Sequence, residues 1–256
     1  MCQAETPPLG VLPHGATASA EPAVRVAVII PTFNEAESIG SVVAELPRHI
    51  VDRVIVADGG STDGTAAIAR RAGAEVVSVG AGYGRACLAG AQAASDAEIL
   101  VFMDGDGADD PAAIEALVGP LRAGRCDFVI GSRASGTREP GSMGSHQLIG
   151  GHVAGVLIKL FYGVRYTDMC AYRAIRRDTL LALGMRELTY GWNLEMQMRV
   201  ARAKLRVLEL PVPYRRRIGG QSKVAGNLRG SLKAGTRIVA TFARVASERQ
   251  RADGGR

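Results

Sequence analysis

Residues 97–106 read Ala97-Glu98-Ile99-Leu100-Val101-Phe102-Met103-Asp104-Gly105-Asp106, an apolar run that ends abruptly in two carboxylates. An apolar run of this length fits a strand buried on both faces, and such strands belong to parallel sheets covered by helices. In open sheets of that kind ligands collect beyond the carboxyl ends of the strands, so Asp104 and Asp106 stand where a ligand would be held. Carboxylate oxygens, completed by waters and substrate phosphates, suit Mg²⁺ or Mn²⁺. The plain alternative is a solvated acidic loop; the preceding strand and the following Asp109-Asp110-Pro111 argue against it.

Outward from this stretch the same alternation repeats. Val26-Ala27-Val28-Ile29-Ile30 predicts a buried strand ending at Pro31. Residues 35–46 predict a helix, with Ile39, Val42, Val43 and Leu46 at three- and four-residue spacing and Pro47 as its stop. Strands over 54–57, 75–79 and 128–130 and helices over 65–72 and 84–94 complete the pattern. Short β-rich runs alternating with helical ones are the signature of βαβ units, so the expected fold is α/β, a mostly parallel central sheet with helices on both faces. Residues 1–23, rich in Pro, Ala and Gly, are expected to form a flexible leader outside a domain spanning 24–225, and 226–256 a basic amphipathic C-terminal helix and tail.

Composition narrows the partners. The 256 residues are 47% apolar and 5% aromatic, ordinary for one globular domain. A net charge of +6 and a pI of about 9.4 favour anionic partners: nucleotide diphosphates, lipid phosphates, an anionic membrane or nucleic acid. Nucleic acid is the weakest of these, because no aromatics interleave with the basic residues and no nucleic-acid module is recognisable. Cys2, Cys87, Cys126 and Cys170 show neither C-x-x-C pairing nor close spacing with histidine, which speaks for reduced thiols in a cytosolic protein rather than zinc or disulfides. No run reaches the roughly 18 apolar residues of a membrane span, so membrane contact is expected to be peripheral, at the inner face. Two segments offer a face for it. Residues 147–163 align Ile149, Val153, Val156 and Leu160; residues 226–245 align Leu228, Leu232, Val239 and Phe242 beside Arg229, Lys233, Arg237 and Arg244. Packing on the core is the alternative for both.

Four strand ends deliver polar residues to one edge of the sheet: Thr32-Phe33-Asn34-Glu35, Asp58-Gly59-Gly60-Ser61-Thr62-Asp63-Gly64-Thr65, Asp104-Gly105-Asp106 and Gly131-Ser132-Arg133. Asp58 can accept hydrogen bonds from a base N–H or ribose hydroxyls. Asp63 either joins it or caps the helix that follows. Gly80-Ala81-Gly82-Tyr83-Gly84 has the wrong spacing for a dinucleotide fingerprint and reads as a hinge or donor-contacting turn. Tyr214-Arg215-Arg216-Arg217 with Lys223 suits phosphate, to which arginine offers forked donors, or is a solvated charge run. Glu195 is a base or an arginine partner near a helix start, and Trp192 stacks on a sugar or belongs to the core. His14, His49, His146 and His152 read as solvated or structural.

Taken in order, Val28-Ile29-Ile30-Pro31-Thr32-Phe33-Asn34-Glu35, Asp58 to Thr65, the Asp104 turn, Gly131-Ser132-Arg133, Tyr172-Arg173-Ala174-Ile175-Arg176-Arg177 and Arg217-Ile218-Gly219-Gly220-Gln221-Ser222-Lys223 resemble the family 2 glycosyltransferases over residues 24–225. The branch they resemble is that of dolichyl-phosphate mannose synthases. The resemblance implies a GT-A (Rossmann-like) fold and inverting transfer of a hexose from a nucleotide sugar, of GDP-mannose or UDP-glucose type, to polyprenyl phosphate. It implies that Pro31, Phe33, Glu35 and Asp58 hold the nucleotide, that Asp104 and Asp106 hold the metal, and that Arg133, Arg217 and Lys223 meet phosphate charge. The chain departs from the pattern at Gly59, where a second aspartate is usual, and at Ala108, where a polar residue is; Asp109 is nearby.

The chemistry is consistent with that implication. A departing nucleotide diphosphate gains negative charge, which a divalent cation stabilises in place of a general acid. A phosphate monoester, with a second pKa near about 6, is already ionised at neutral pH and needs no strong base. A hydroxyl acceptor, with Glu195 as base, and a catalytically silent sugar-nucleotide or lipid-phosphate binding protein are the alternatives. Oligomeric state stays open.

Overall fold

The computed structural model describes residues 24–219 and 239–248. Among these, seven strands form one sheet in the order β3-β2-β1-β4-β6-β5-β7. The strands are β1 (Val26–Thr32), β2 (Arg53–Asp58), β3 (Glu75–Ser78), β4 (Ile99–Phe102), β5 (Phe128–Ser132), β6 (Arg173–Arg176) and β7 (Val207–Pro211). Every neighbouring pair is parallel except those made by β6, which runs antiparallel to both β4 and β5. The helices are α1 (Ile39–Glu45), α2 (Thr65–Arg71), α3 (Tyr83–Ala93), α4 (Ile114–Arg122), α5 (Ser145–Tyr162), α6 (Arg177–Ala182) and α7 (Trp192–Arg202).

The expected α/β architecture is the one observed. All seven side chains of β1 are buried, so both faces of the sheet are covered there, which is why the run is apolar without alternation. Pro31 does not end β1; it lies within it, opposite Ala57. The first helix is shorter than its periodicity suggests. Ser38, fully buried, sends its hydroxyl to the Gly105 carbonyl at 2.7 Å, and the Ile39 N–H bonds back to Glu35 at 2.9 Å, so residues 35–38 form a turn that fastens the helix start to the acidic turn. The periodicities above do not single out α4, α6, α7, β6 or β7; in α4 the pair Gly119-Pro120 masks the helical signal.

Trp192 belongs to the core and not to a sugar platform: it is fully buried, with its ring 6.3 Å from that of Phe102. Helix α3 lies close on β1 because residue 90 is glycine. A Cβ there would sit 2.4 Å from Cγ2 of Ile29, deep in the sheet. Gly90→Val is therefore expected to cost about 1–3 kcal/mol of stability through overpacking, read as a lowered midpoint in urea unfolding with an unchanged slope.

Candidate active site

The carboxyl ends of β1, β2, β4, β5 and β7 all point to one edge, and the four predicted strand ends meet there. A fifth, from β7, brings in Tyr214 and Arg217. Because β6 is reversed, the chain entering it, residues 166–172, arrives at the same edge, with Arg173 paired opposite Phe102 and Ile130. Asp168 comes to the site by that route.

The first two loops are bolted together. The Asn34 N–H reaches the Ser61 hydroxyl at 2.8 Å, the Thr62 N–H reaches the Asn34 side chain at 2.9 Å, and the Glu35 N–H reaches the Thr65 hydroxyl at 2.8 Å. Asp63 accepts from the N–H groups of Ala36 and Thr65, each at 3.0 Å, so it joins the two loops while serving the start of α2. Asp58, nearly buried, accepts from the hydroxyls of Thr32 and Ser61 and from the Ser61 N–H. Phe33 stands out at 44% exposure beside it, and Pro31 and Glu35 are buried behind. The Gly59 departure has a steric reason: a Cβ there would lie 3.2 Å from the Thr32 carbonyl oxygen.

The acidic turn is crowded. Asp106 is almost fully buried; its Oδ1 accepts the Ala108 N–H at 2.9 Å and its Oδ2 pairs with Arg217 Nη2 at 2.5 Å. Asp109 Oδ2 accepts the Asp104 N–H at 3.0 Å, and the Tyr83 hydroxyl donates to Asp104 Oδ1 at 3.4 Å. Burial, and then the neighbouring Asp106 charge, push the Asp104 carboxyl up to about 6. Burial and the Asp104 charge push Asp109 well above the carboxylate range. Tyr83 brings the Gly80 loop to these groups. Its glycines serve packing, since Cβ atoms at Gly82 and Gly84 would lie 2.5 and 2.3 Å from the carbonyl oxygens of Leu188 and Glu187.

Arg133 is held from below. Its Nε and Nη2 grip Asp168 bidentately, each at 2.8 Å, its backbone N–H adds a third bond at 2.9 Å, and its guanidinium carbon lies 5.1 Å from the centre of the Tyr214 ring. Burial opposes the Asp168 charge, but the bonds and charge of Arg133 outweigh it and keep the carboxyl below its usual range. Glu209 on β7 in turn accepts the Thr167 N–H at 2.9 Å and the Asp168 N–H at 3.3 Å. Sequence reasoning missed Asp168, Glu209 and Tyr83, and no local spacing marks them. Lys223 lies outside the described residues.

Glu195 stands as an arginine partner. Fully buried in the first turn of α7, it accepts from the N–H groups of Arg186 and Glu187 at 3.0 and 2.6 Å and from Arg199 and Arg244 at 2.9 and 3.0 Å. These four bonds spend its lone pairs. Of the two readings of the C-terminal segment, Arg244 follows packing on the core: it pairs with Glu195 at 3.0 Å, and with Glu187 and Glu248 at longer range. Residues 239–248 are helical, with Val245 buried and Val239 outward. Leu228, Arg229, Leu232, Lys233 and Arg237 lie outside the described residues. His49 and His152 are exposed, and His14 lies outside the described residues. Among the described residues no helix is long and apolar enough to cross a membrane.

Two bonded loops, two carboxylates and two guanidiniums thus share one sheet edge. The profile of Glycosyl transferase family 2 matches residues 27–184. The chain belongs to that family. This glycosyltransferase is 38% identical over 212 residues to an uncharacterized glycosyltransferase of Mycobacterium tuberculosis, covering 82% of this chain and 94% of that one. It is 34% identical to the undecaprenyl-phosphate mannosyltransferase of Micrococcus luteus, over 81% of this chain and 90% of the relative. It is 31% identical to the polyprenol monophosphomannose synthase of Mycolicibacterium smegmatis, over 82% and 84%. In fold it resembles glucosyl-3-phosphoglycerate synthase from Mycobacterium tuberculosis, solved with Mn²⁺ and UDP-glucose, at a TM-score of 0.69 and 22% identity over 88% of this chain and 80% of that one.

Glu195→Gln is expected to cost about 1–3 kcal/mol, because it takes the shared carboxylate from the partly buried Arg199 and Arg244 and sets an amide against two backbone N–H groups, while turnover per folded molecule is retained. Burial works against the Glu195 charge, but the N–H groups of Glu187 and Arg186 with Arg244 and Arg199 outweigh it and hold its folded carboxyl below the ordinary value. Its stabilising contribution is thus present above the unfolded pKa of about 4.3 and lost as pH falls through the folded value. Urea midpoints between pH 7 and pH 3 should fall less steeply in the variant than in the wild type.

Proposed function

We propose that this glycosyltransferase moves a hexose from a nucleotide sugar to polyprenyl phosphate with inversion, using Mg²⁺ or Mn²⁺, at an anionic membrane surface. The observation that carries the reading is the side-by-side placement of the acidic turn and the two arginines, with Glu195, the base that a hydroxyl acceptor would call for, already bonded to two arginines and two backbone N–H groups. A phosphate acceptor brings negative charge of its own to be neutralised and needs no base; a hydroxyl acceptor needs a base. The names of the mannosyltransferase relatives agree with it.

The donor set fits a hard cation. Asp104 and Asp106 are crowded, oxygen-only ligands, and the raised Asp104 carboxyl is the mark of negative charge with too few partners. A divalent ion bound there supplies neutralisation of the charge that builds on the leaving diphosphate. Asp58, Phe33 and the loop behind them, Pro31 and Glu35, receive the nucleoside. Arg133, fixed by Asp168 and Tyr214, keeps Nη1 free of Asp168 for a phosphate oxygen, and Arg217 adds charge to the same edge; for Lys223 the family resemblance supports a phosphate-binding role. The acceptor's phosphate oxygen attacks the anomeric carbon as the bond from that carbon to the diphosphate oxygen breaks. Its electron pair leaves with the nucleotide, so one displacement inverts the centre.

Helix α5 supports the membrane part. Ile149, Val153, Val156 and Leu160, the stripe its sequence predicts, are 63, 50, 44 and 75% exposed. His152 and Lys159 are exposed beside them, and no Asp or Glu occurs from residue 140 to 167. The opposite face carries Gly151 and Gly155; a Cβ at Gly155 would lie 2.1 Å from the Tyr166 carbonyl, and one at Gly151 3.5 Å from Asp168 Oδ1. The helix that offers apolar side chains to lipid is therefore backed against the partner of Arg133.

The test is transfer from a panel of UDP- and GDP-sugars to short polyprenyl phosphate with and without EDTA, resolving lipid products by mass. A glycosyl phospholipid formed only with metal is expected, and Asp106→Asn should lower kcat by about 100- to 1000-fold. Nucleotide release without lipid product would favour a hydroxyl acceptor, and neither would favour a silent binding protein. Exchanging Ile149 and Leu160 together for Glu should weaken binding to phosphatidylglycerol vesicles by about tenfold or more, with soluble-acceptor kinetics preserved.

A further inference from the structure

We infer that Arg217 is a resident counter-ion of Asp106 which the metal must displace, so that donor binding and the release of this guanidinium to phosphate are one exchange. The inference rests on the reading that Asp104 and Asp106 hold the metal. Both oxygens of Asp106 are engaged from within the protein: Oδ1 by the Ala108 N–H at 2.9 Å, Oδ2 by Arg217 at 2.5 Å. A cation reaching Oδ2 must compete with a charged hydrogen bond in a site almost closed to solvent, where such a bond is strong.

The backbone that delivers Arg217 is fixed, and only its side chain has somewhere to go. Residues 214–218 lie as a strap across the acidic turn. The Ile218 N–H bonds to the Asp106 carbonyl at 2.9 Å, the Arg215 N–H to the Ala108 carbonyl at 2.8 Å, and Tyr214 bridges to Asp109. Ile218 covers Gly107, where a Cβ would lie 2.4 Å from Ile218 Cδ1. Arg215 pins the strap again through Glu45 at 2.8 Å and Asp110 at 2.7 Å. Arg217 itself is held to Asp106 through Nη2, and its buried Nη1 has no hydrogen-bond partner among the described residues. One carboxylate oxygen satisfies half of the fork. A phosphate, offering two or three oxygens, satisfies all of it. A nucleotide diphosphate arriving with its cation therefore gives Asp106 a new positive partner and Arg217 a better negative one, whereas the cation alone provides only the first.

The consequence is a change of sign on removing the guanidinium. Mn²⁺ binding is measured from the electron paramagnetic resonance of free aquo-Mn²⁺, first alone and then with saturating UDP or GDP. Without nucleotide, Arg217→Gln should bind Mn²⁺ about tenfold tighter than wild type, the equivalent of about 1.4 kcal/mol of ion pair that no longer has to be broken. With nucleotide it should bind no tighter, or more weakly. Arg133→Gln removes a neighbouring charge that is paired with Asp168 and not with Asp106, and measures the general effect of losing a positive charge. Arg217→Lys, which keeps charge and one donor, should stay near wild type without nucleotide. Circular dichroism melts confirm that the variants are folded. Equal effects of Arg217→Gln and Arg133→Gln, or an Arg217→Gln gain that persists unchanged with nucleotide, would overturn the exchange. In that case loss of Mn²⁺ binding in Asp106→Asn leaves the metal reading standing; unaltered Mn²⁺ binding in Asp106→Asn overturns both.

Discussion

Three carboxylates within six residues, Asp104, Asp106 and Asp109, must share one poorly solvated turn, and their desolvation and mutual repulsion are the constraint around which the sheet edge is arranged. Each has been given a different answer. Asp109 is turned back onto the Asp104 N–H, Asp106 is paired with Arg217, and Asp104, which accepts from Tyr83 at 3.4 Å among the described residues, has its carboxyl pushed up by burial and by the Asp106 charge. The strap from β7, the Gly80 loop and the reversed entry into β6 are the means by which those partners, and the nearby Arg133, are brought from distant parts of the chain.

The same edge separates two kinds of arginine. Arg133 is gripped by Asp168 in a forked pair, stacked on Tyr214 and backed by Glu209, so its position is set before any ligand arrives. Arg217 is attached to Asp106 by one arm of its fork. A rigid cation and an exchangeable one serve different ends: preorganised charge costs nothing to reorganise during transfer, whereas an exchangeable ion pair couples one binding event to another. Farther back, Glu195 gathers Arg199, Arg244 and two backbone N–H groups, and so ties the helical residues 239–248 to α7. It is a stabilising hub placed near a glycosyltransferase site, not a member of it.

Much was legible from the chain alone. The buried strands β1, β2 and β4 announce themselves because a strand covered on both faces must be apolar throughout, and the ends of β2 and β4 could be read from Asp58 and Asp104, whereas β1 runs on through Pro31 to Thr32. The exposed stripe of α5 was legible for the complementary reason, since helical spacing places Ile149, Val153, Val156 and Leu160 on one face whether or not anything covers it. Strand β6 was not. Its residues Arg173 and Arg176 break the apolar pattern, and Arg173 is buried by donating to the nearby carbonyls of Cys170 and Ala171 and to that of Asn193 in α7, a partner outside the local sequence.

Sequence by itself therefore determined the α/β class, the direction of the strands and the set of polar residues at their carboxyl ends, because burial and the 2.0- and 3.6-residue periods act on neighbours along the chain. Tertiary structure alone decided which of those residues touch. Asp168 finds Arg133, Tyr83 finds Asp104, Arg217 finds Asp106, and Arg244 finds Glu195, because these contacts join residues from 21 to 111 positions apart that only the folded chain brings together. Hydrogen-bond geometry acts over about 3 Å in space and has no period along the chain.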